Sequence, residues 1–360
     1  MREKRNTYLF VLVLVIIVVA VAIGIIKTHG TTPKLVAMEI DPEKIMGTEC
    51  HIVAVTSPRK AAKKQDALES VEQILRGIEG KMSTYLENSE ISLLNNAVTN
   101  QKITVSESTA DVLELSKKIY TQSDGAFDIT VKPLVTLWKN AGKENKLPSE
   151  DEIVTARAIS YIDSISISGT EAWKDSDTTS IDLGGIAKGY AVDKGVEELQ
   201  KAEFKGGFVD IGGDIRCFGP SVAFDKWDVV VADPFEKSLQ QPLMTLFVTD
   251  KAVCTSGNYQ RFSTIDGKNY SHILDPRTGY PADAVPSATV IANSAAVADA
   301  WATALSVLGV DGFDNLPKSD GIEAMIVTGT SEGFKIHMTA GFAEYIKEKL
   351  PDEWEVEIIQ

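Results

Sequence analysis

The sequence predicts an α+β fold: a largely antiparallel sheet with flanking helices. Three observations carry this. Strand-like segments come in runs of neighbours parted by turn clusters, and helical stripes group between those runs instead of alternating with single strands. The glycine spacings of P-loop and dinucleotide folds are missing, because neither GxxxxGK(S/T) nor GxGxxG occurs.

The elements follow in order. Residues 62–82 place Ala67, Val71, Ile74, Leu75, Ile78 and Met82 three and four apart, a helical stripe for the core. Residues 106–120 predict a second helix, capped by Ser108 or Thr109, with Val112, Leu115 and Ile119 inward. A short helix is expected over 150–158. Another, over 186–201, follows Gly184 and Gly185 and buries Ala191, Val192, Val196 and Leu199. Strands are predicted at 164–168, 180–183, 207–211, 215–218, 227–232 and 243–249. A helix over 295–308, strands at 323–328 and 333–337, and a terminal helix near 341–349 complete the chain.

Residues 8–26 form an apolar run after the basic stretch 2–5. As a helix this run reaches about 28 Å, close to the hydrocarbon thickness of a bilayer. Residues 1–27 are therefore expected to be a single-pass membrane anchor, 28–38 a linker, and 39–360 one catalytic body on the extracytoplasmic side. A cleaved signal peptide is the alternative, disfavoured by the length of the run. A net charge of −15 argues against nucleic acid as a partner. Cys50, Cys217 and Cys254 show no zinc spacing, and buried free thiols are expected.

Chemistry concentrates in two stretches. Residues 255–282 gather Ser256, Tyr259, Arg261, His272, Asp275, Arg277, Thr278 and Gly279; His272 is a candidate general base. Asp299 and Thr303 then stand four apart on a helix, so a carboxylate and a hydroxyl face one way, suited to a hard cation such as Mg2+. Elsewhere, residues 181–190 read as a glycine turn opening a helix, either an anion site or an ordinary cap. Asp210 and Asp214 flank Gly212 and Gly213 and are read as structural. Tyr85 suits stacking on a flat ring or plugging a helix end, and residues 125–130 are equally open.

Eight segments in order resemble the ApbE family of flavin transferases: Met46-Gly47-Thr48, MSTYLENSEIS (82–92), GAFDIT (125–130), IDLGGIAKGYAVD (181–193), VDIGGDI (209–215), TSGNYQRF (255–262), SHILDPRTGYP (271–281) and ADAWATAL (298–305). The resemblance implies a tunnelling-fold-like α+β body with FAD in a cleft. Met46, Tyr85, Ala126, Phe127, Asp128, Gly184, Tyr190 and Ile273 are similar to FAD-contacting positions. Asp299, Thr303 and the main-chain carbonyl of Ala187 match Mg2+ ligands, and His272 matches the residue that activates an acceptor hydroxyl. The implied reaction moves FMN from FAD to Ser or Thr of acceptor flavoproteins with a Ser/Thr-Gly-Ala-Thr pattern, such as ion-pumping redox subunits or exported flavoproteins. That pattern is absent from this chain. An FAD pyrophosphatase and a non-catalytic membrane-tethered flavin binder remain the competing readings.

Overall fold

The computed structural model describes residues 34–236, 242–257 and 262–360. The expected anchor, most of the linker, Tyr259 and Arg261 lie outside the described residues.

The helices are α1 (Pro58–Ala61), α2 (Gln65–Met82), α3 (Glu90–Asn96), α4 (Glu107–Gln122), α5 (Lys132–Glu144), α6 (Glu150–Ala158), α7 (Ala187–Lys201), α8 (Ala295–Leu308) and α9 (Ala340–Ala343). The strands before residue 220 are β1 (Val36–Ile40), β2 (Cys50–Thr56), β3 (Ile103–Thr104), β4 (Ile165–Ser168), β5 (Glu171–Lys174), β6 (Gly206–Ile211) and β7 (Asp214–Phe218). After it come β8 (Trp227–Val231), β9 (Met244–Val248), β10 (Lys251–Gly257), β11 (Phe262–Ile265), β12 (Lys268–Ser271), β13 (Ser287–Ala292), β14 (Glu323–Thr330), β15 (Gly333–Thr339) and β16 (Glu355–Ile359). Residues 36–38, assigned to the linker from sequence, already belong to β1 and pair with β2.

A nine-stranded sheet runs β1-β2-β6-β7-β10-β13-β14-β15-β16, antiparallel throughout except for the parallel β15–β16 pair at one edge. Alternation along its strands serves two cores. Ile52, Ala54, Val209, Ile211, Cys254, Val290 and Ile326 face the helical layer of α2, α7 and α8. Val53, Val55, Phe208, Val253, Ile291 and Val327 face the other way, onto the β8–β9 hairpin and Phe342. Strands β6 and β13 are buried along their whole length because both faces are covered. A third cluster packs Leu134 and Trp138 of α5 against Ile153 of α6, Ile265 and Leu274.

Three expectations are corrected. No strand forms over 180–183: Ile181 exchanges both backbone bonds with the Asn95 side chain, at 2.6 and 2.9 Å, and Asp182 N–H donates to Ile129 O at 2.7 Å. The terminal helix is only the short α9. Beyond it, Phe247 N–H donates to Tyr345 O and Lys347 N–H to Thr245 O, so β9 takes the backbone that would have made further turns. The cap of α4 is Ser106, whose Oγ accepts from Thr109 N–H at 3.4 Å, rather than Ser108 or Thr109. All three cysteines are free and buried, and burial pushes the Cys50 and Cys217 thiols up to about 12.

Asp210 on β6 is fully enclosed. Its Oδ1 accepts from Gly213 N–H at 2.8 Å, while Oδ2 has no partner. Burial pushes this acid up to about 7; the facing Asp214 adds to the rise, and Gly213 N–H and His51 oppose it. An acid with a raised folded pKa stabilises the fold below its unfolded value, about 3.9, and that stability is lost as pH climbs toward the folded value. Asp210→Asn is therefore expected to flatten the fall in melting temperature between pH 4 and pH 7.5, read by thermal unfolding across that range. A variant slope equal to the parent's would contradict this.

Candidate active site

Two antiparallel helices build the site. Helix α7 begins without a side-chain cap of its own, leaving first-turn N–H groups to be satisfied. Asp299 supplies an acceptor from α8: its Oδ2 lies 3.1 Å from Gly189 N. The reverse contact also exists. Asp193, within α7, accepts from Ala295 N–H at 2.8 Å, Ala296 N–H at 3.0 Å and Ser294 Oγ at 2.6 Å at the start of α8, and from Arg216 Nη1 at 2.8 Å. Gly189 makes this approach possible, since a Cβ there would sit 2.2 Å from Ala295 O.

Asp299 is buried, as is Asp214 at the start of β7. Lys188 Nζ bonds Asp214 Oδ2 and lies 3.2 and 3.3 Å from the two Asp299 oxygens. Burial, then the neighbouring Asp214, hold the Asp299 carboxyl above the usual range; Lys188 and Gly189 N–H pull the other way. Burial alone would lower the Lys188 ammonium, but Asp214 and Asp299 outweigh it and hold it up. The local charge is two carboxylates against one ammonium, so the site carries an excess negative charge that a cation would offset.

Thr303 is half-buried one turn along α8, its Oγ1 3.4 Å from Ser256 Oγ on β10. A Cβ on Gly185 would lie 2.9 Å from Thr303 Oγ1 and 3.3 Å from the Phe127 ring, so only a glycine lets the turn pack this closely against hydroxyl and ring. Ala187 occupies the first turn of α7, beside the helix end that Asp299 caps. Among the described residues no group of three or more His, Cys, Asp or Glu could hold a metal. One carboxylate, one hydroxyl and a main-chain carbonyl nevertheless suit Mg2+, which takes few protein oxygens and completes its shell with water and phosphate.

The remaining sequence-predicted residues differ in burial and in what holds them. Gly184 is exposed, its N–H 2.8 Å from Asp182 Oδ1. Ala126, Phe127 and Asp128 are buried. Asp128 Oδ1 accepts from Thr130 N–H at 2.7 Å and Oγ1–H at 2.6 Å, yet burial still raises its pKa. Met46 has a left-handed backbone and donates N–H to Glu79 Oε1 at 2.9 Å. Tyr85 is 83% exposed, enough to offer a free ring face, with Lys139 Nζ 5.3 Å from its centroid. Tyr190 is buried, and its hydroxyl donates to Asp111 Oδ2 at 3.0 Å. Ile273 is buried with its N–H 3.0 Å from Ser271 Oγ, whereas His272 beside it is exposed.

The structure thus joins Gly185, Phe127, Thr303 and Ser256 by direct approach, with Asp299 one turn away. Met46, Tyr85 and the 271–281 segment are held elsewhere: Met46 by Glu79 of α2, Tyr85 beside Lys139 of α5, and Leu274 and Gly279 against the α5–α6 cluster. A cavity of about 320 Å3, lined by Tyr120, Asp124, Gly125, Asp128, Ser160 and Arg277 among others, includes Asp128 but none of the candidate cation ligands. Sequence reasoning passed over Lys188 and Asp193, and read Asp214 as structural. All three stand inside or next to the two glycine-bearing motifs, but their partners are distant in sequence.

Fold and site define an α+β protein in which a glycine turn meets a carboxylate–hydroxyl pair on a buried helix. The ApbE family model matches residues 46–326. FAD:protein FMN transferase of Vibrio cholerae is 32% identical over 307 residues, 84% of this chain and 90% of that protein. The Haemophilus influenzae protein of the same name is 29% identical over 317 residues, 85% and 91% of the two chains. Among solved structures, the ApbE protein of Thermotoga maritima superposes with a TM-score of 0.77 at 32% identity, covering 87% of this chain and 100% of that one. The Vibrio cholerae flavin transferase ApbE gives 0.75 at 30%, covering 86% and 99%. The chain belongs to the ApbE family.

The helix contact is testable by two identical substitutions with opposite signs. Gly189→Ala drives a methyl into Ala295 and is expected to cost about 1–3 kcal/mol or more. Gly77→Ala, in α2 with open space around it, is expected to gain roughly 0.5–1 kcal/mol. Urea unfolding of both variants reads the contrast.

Proposed function

We propose that this chain transfers FMN from FAD to a Ser or Thr hydroxyl of an acceptor protein, in a Mg2+-dependent reaction that releases AMP. The observation that carries the reading is the excess negative charge around Asp299, on the helix that brings the Thr303 hydroxyl against the glycine turn at Gly185. Family membership and the activity for which the relatives are named support it.

Asp299, Thr303 and the Ala187 carbonyl would hold the cation, which supplies charge neutralisation at the pyrophosphate and the departing AMP. Gly184 and Gly185 leave the backbone open to the phosphates at the start of α7. Phe127, Ala126 and Asp128, with Met46 and Tyr85, would grip the two ring systems. His272, exposed to solvent and so open to a protein substrate, takes the hydroxyl proton. The hydroxyl oxygen then bonds the flavin-side phosphorus as the bond to AMP breaks. Residues 1–27 would tether the body to the outer face of the membrane, with membrane subunits of redox complexes or exported flavoproteins bearing a Ser/Thr-Gly-Ala-Thr pattern as the acceptors.

Incubating the chain with FAD, Mg2+ and a peptide bearing that pattern is expected to add one FMN phosphoester to the peptide and release AMP, both read by mass spectrometry. His272→Ala is expected to lower the rate by roughly 100-fold or more, and Asp299→Ala to abolish Mg2+-stimulated turnover. Free FMN with an unmodified peptide would identify a pyrophosphatase instead. Tight FAD binding without turnover, indifferent to Asp299→Ala, would identify a binder.

A further inference from the structure

Lys188 is the nearest positive charge to Asp299, and the proposed reaction assigns it no task. Its ammonium is shared: it bonds Asp214 and lies 3.2 and 3.3 Å from the Asp299 oxygens. The two carboxylates differ in how they are held. Asp214 leads β7 directly after the Gly212–Gly213 turn and pairs with Ile211 in the hairpin, so its position is set by the sheet. Asp299 belongs to α8 and also serves Gly189 N–H. The buried group therefore contains one internal cation and two anions, with the stronger contact on the sheet side.

We propose that Lys188 and Asp214 form a charge-exchange pair that sets the cation affinity of Asp299. Without a divalent ion, Lys188 offsets part of the charge on Asp299. When an ion is bound there, Asp214 retains the ammonium, so the like charges are not forced to compete for one carboxylate. Lys188 then acts as a competitor that lowers affinity, and Asp214 as the acceptor that makes yielding possible. Both are positioning residues, and neither need touch the substrate.

The inference rests on Asp299 being a cation ligand, and its test separates the two claims. Mg2+ and Mn2+ binding to the full chain without FAD is measured by calorimetric titration at pH 8, alongside the melting-temperature shift that each ion induces. Lys188→Met is expected to tighten binding about tenfold by removing the competing charge. Lys188→Gln keeps a donor for Asp214, is expected to move the same way, and serves if the methionine variant does not fold. Asp214→Asn leaves Lys188 with Asp299 alone and is expected to weaken binding about tenfold. The double variant Lys188→Met, Asp214→Asn is expected to return toward the parent value. A purely structural ion pair would move the single variants in one direction, or leave affinity unchanged; either result overturns the exchange. Asp299→Ala is the separating arm: undiminished ion binding there overturns the ligand assignment and the exchange together. Lost binding there, with no opposite shifts at Lys188 and Asp214, overturns the exchange alone.

Discussion

The two helices at the centre of this protein cap one another. Asp193 of α7 satisfies the first N–H groups of α8, and Asp299 of α8 satisfies Gly189 N–H in the first turn of α7. Each carboxylate lies where the partner helix carries partial positive charge, so dipole and hydrogen bonds act together. Alanines fill much of the contact: Ala295, Ala296, Ala298, Ala300, Ala302 and Ala304 are all buried. Small side chains bring the α8 backbone close to α7 and the sheet, and Asp299 is carried into the interior with it.

That placement has an electrostatic consequence. The chain is acidic overall, at −15, and an anionic substrate meets a repulsive field unless the site corrects it locally. The correction is partial. Arg216 answers Asp193 and Lys188 answers Asp214, while Asp299 receives only a share of Lys188. An acid at 2% exposure with incomplete compensation is held toward its neutral form by its own surroundings.

The segment 271–281 is packed separately from this centre. Trp138 of α5 donates Nε1–H to Gly279 O at 2.9 Å, and Leu274 sits in the α5–α6 cluster rather than in either sheet core. Asp283 holds Ser271 N–H at 2.9 Å, which fixes the strand end just before His272. Asp299 and Thr303 on one side and the 271–281 segment on the other therefore ride on different hydrophobic clusters. They are bridged by the contact between residues 125–130 and the glycine turn, where Asp182 N–H meets Ile129 O.

Where local chemistry decides, the sequence was enough. The bounds of α6 and α8 were legible because Ser149 with Glu152, and Ser294, are caps written within four residues of what they cap. The α2 stripe and the i, i+4 pairing of Asp299 with Thr303 follow from periodicity, and the α+β class from the grouping of strands and helices along the chain. What escaped it was settled between distant segments. Residues 180–183 look like a strand but find their bonds on Asn95 and Ile129, and 345–347 leave the helix to pair with β9. Lys188 is an unremarked charge until Asp214 and Asp299, 26 and 111 residues away, close around it. Periodicity and capping are short-range constraints that a linear string records. The balance of buried charge depends on which distant groups share a volume, and only the tertiary structure decided that.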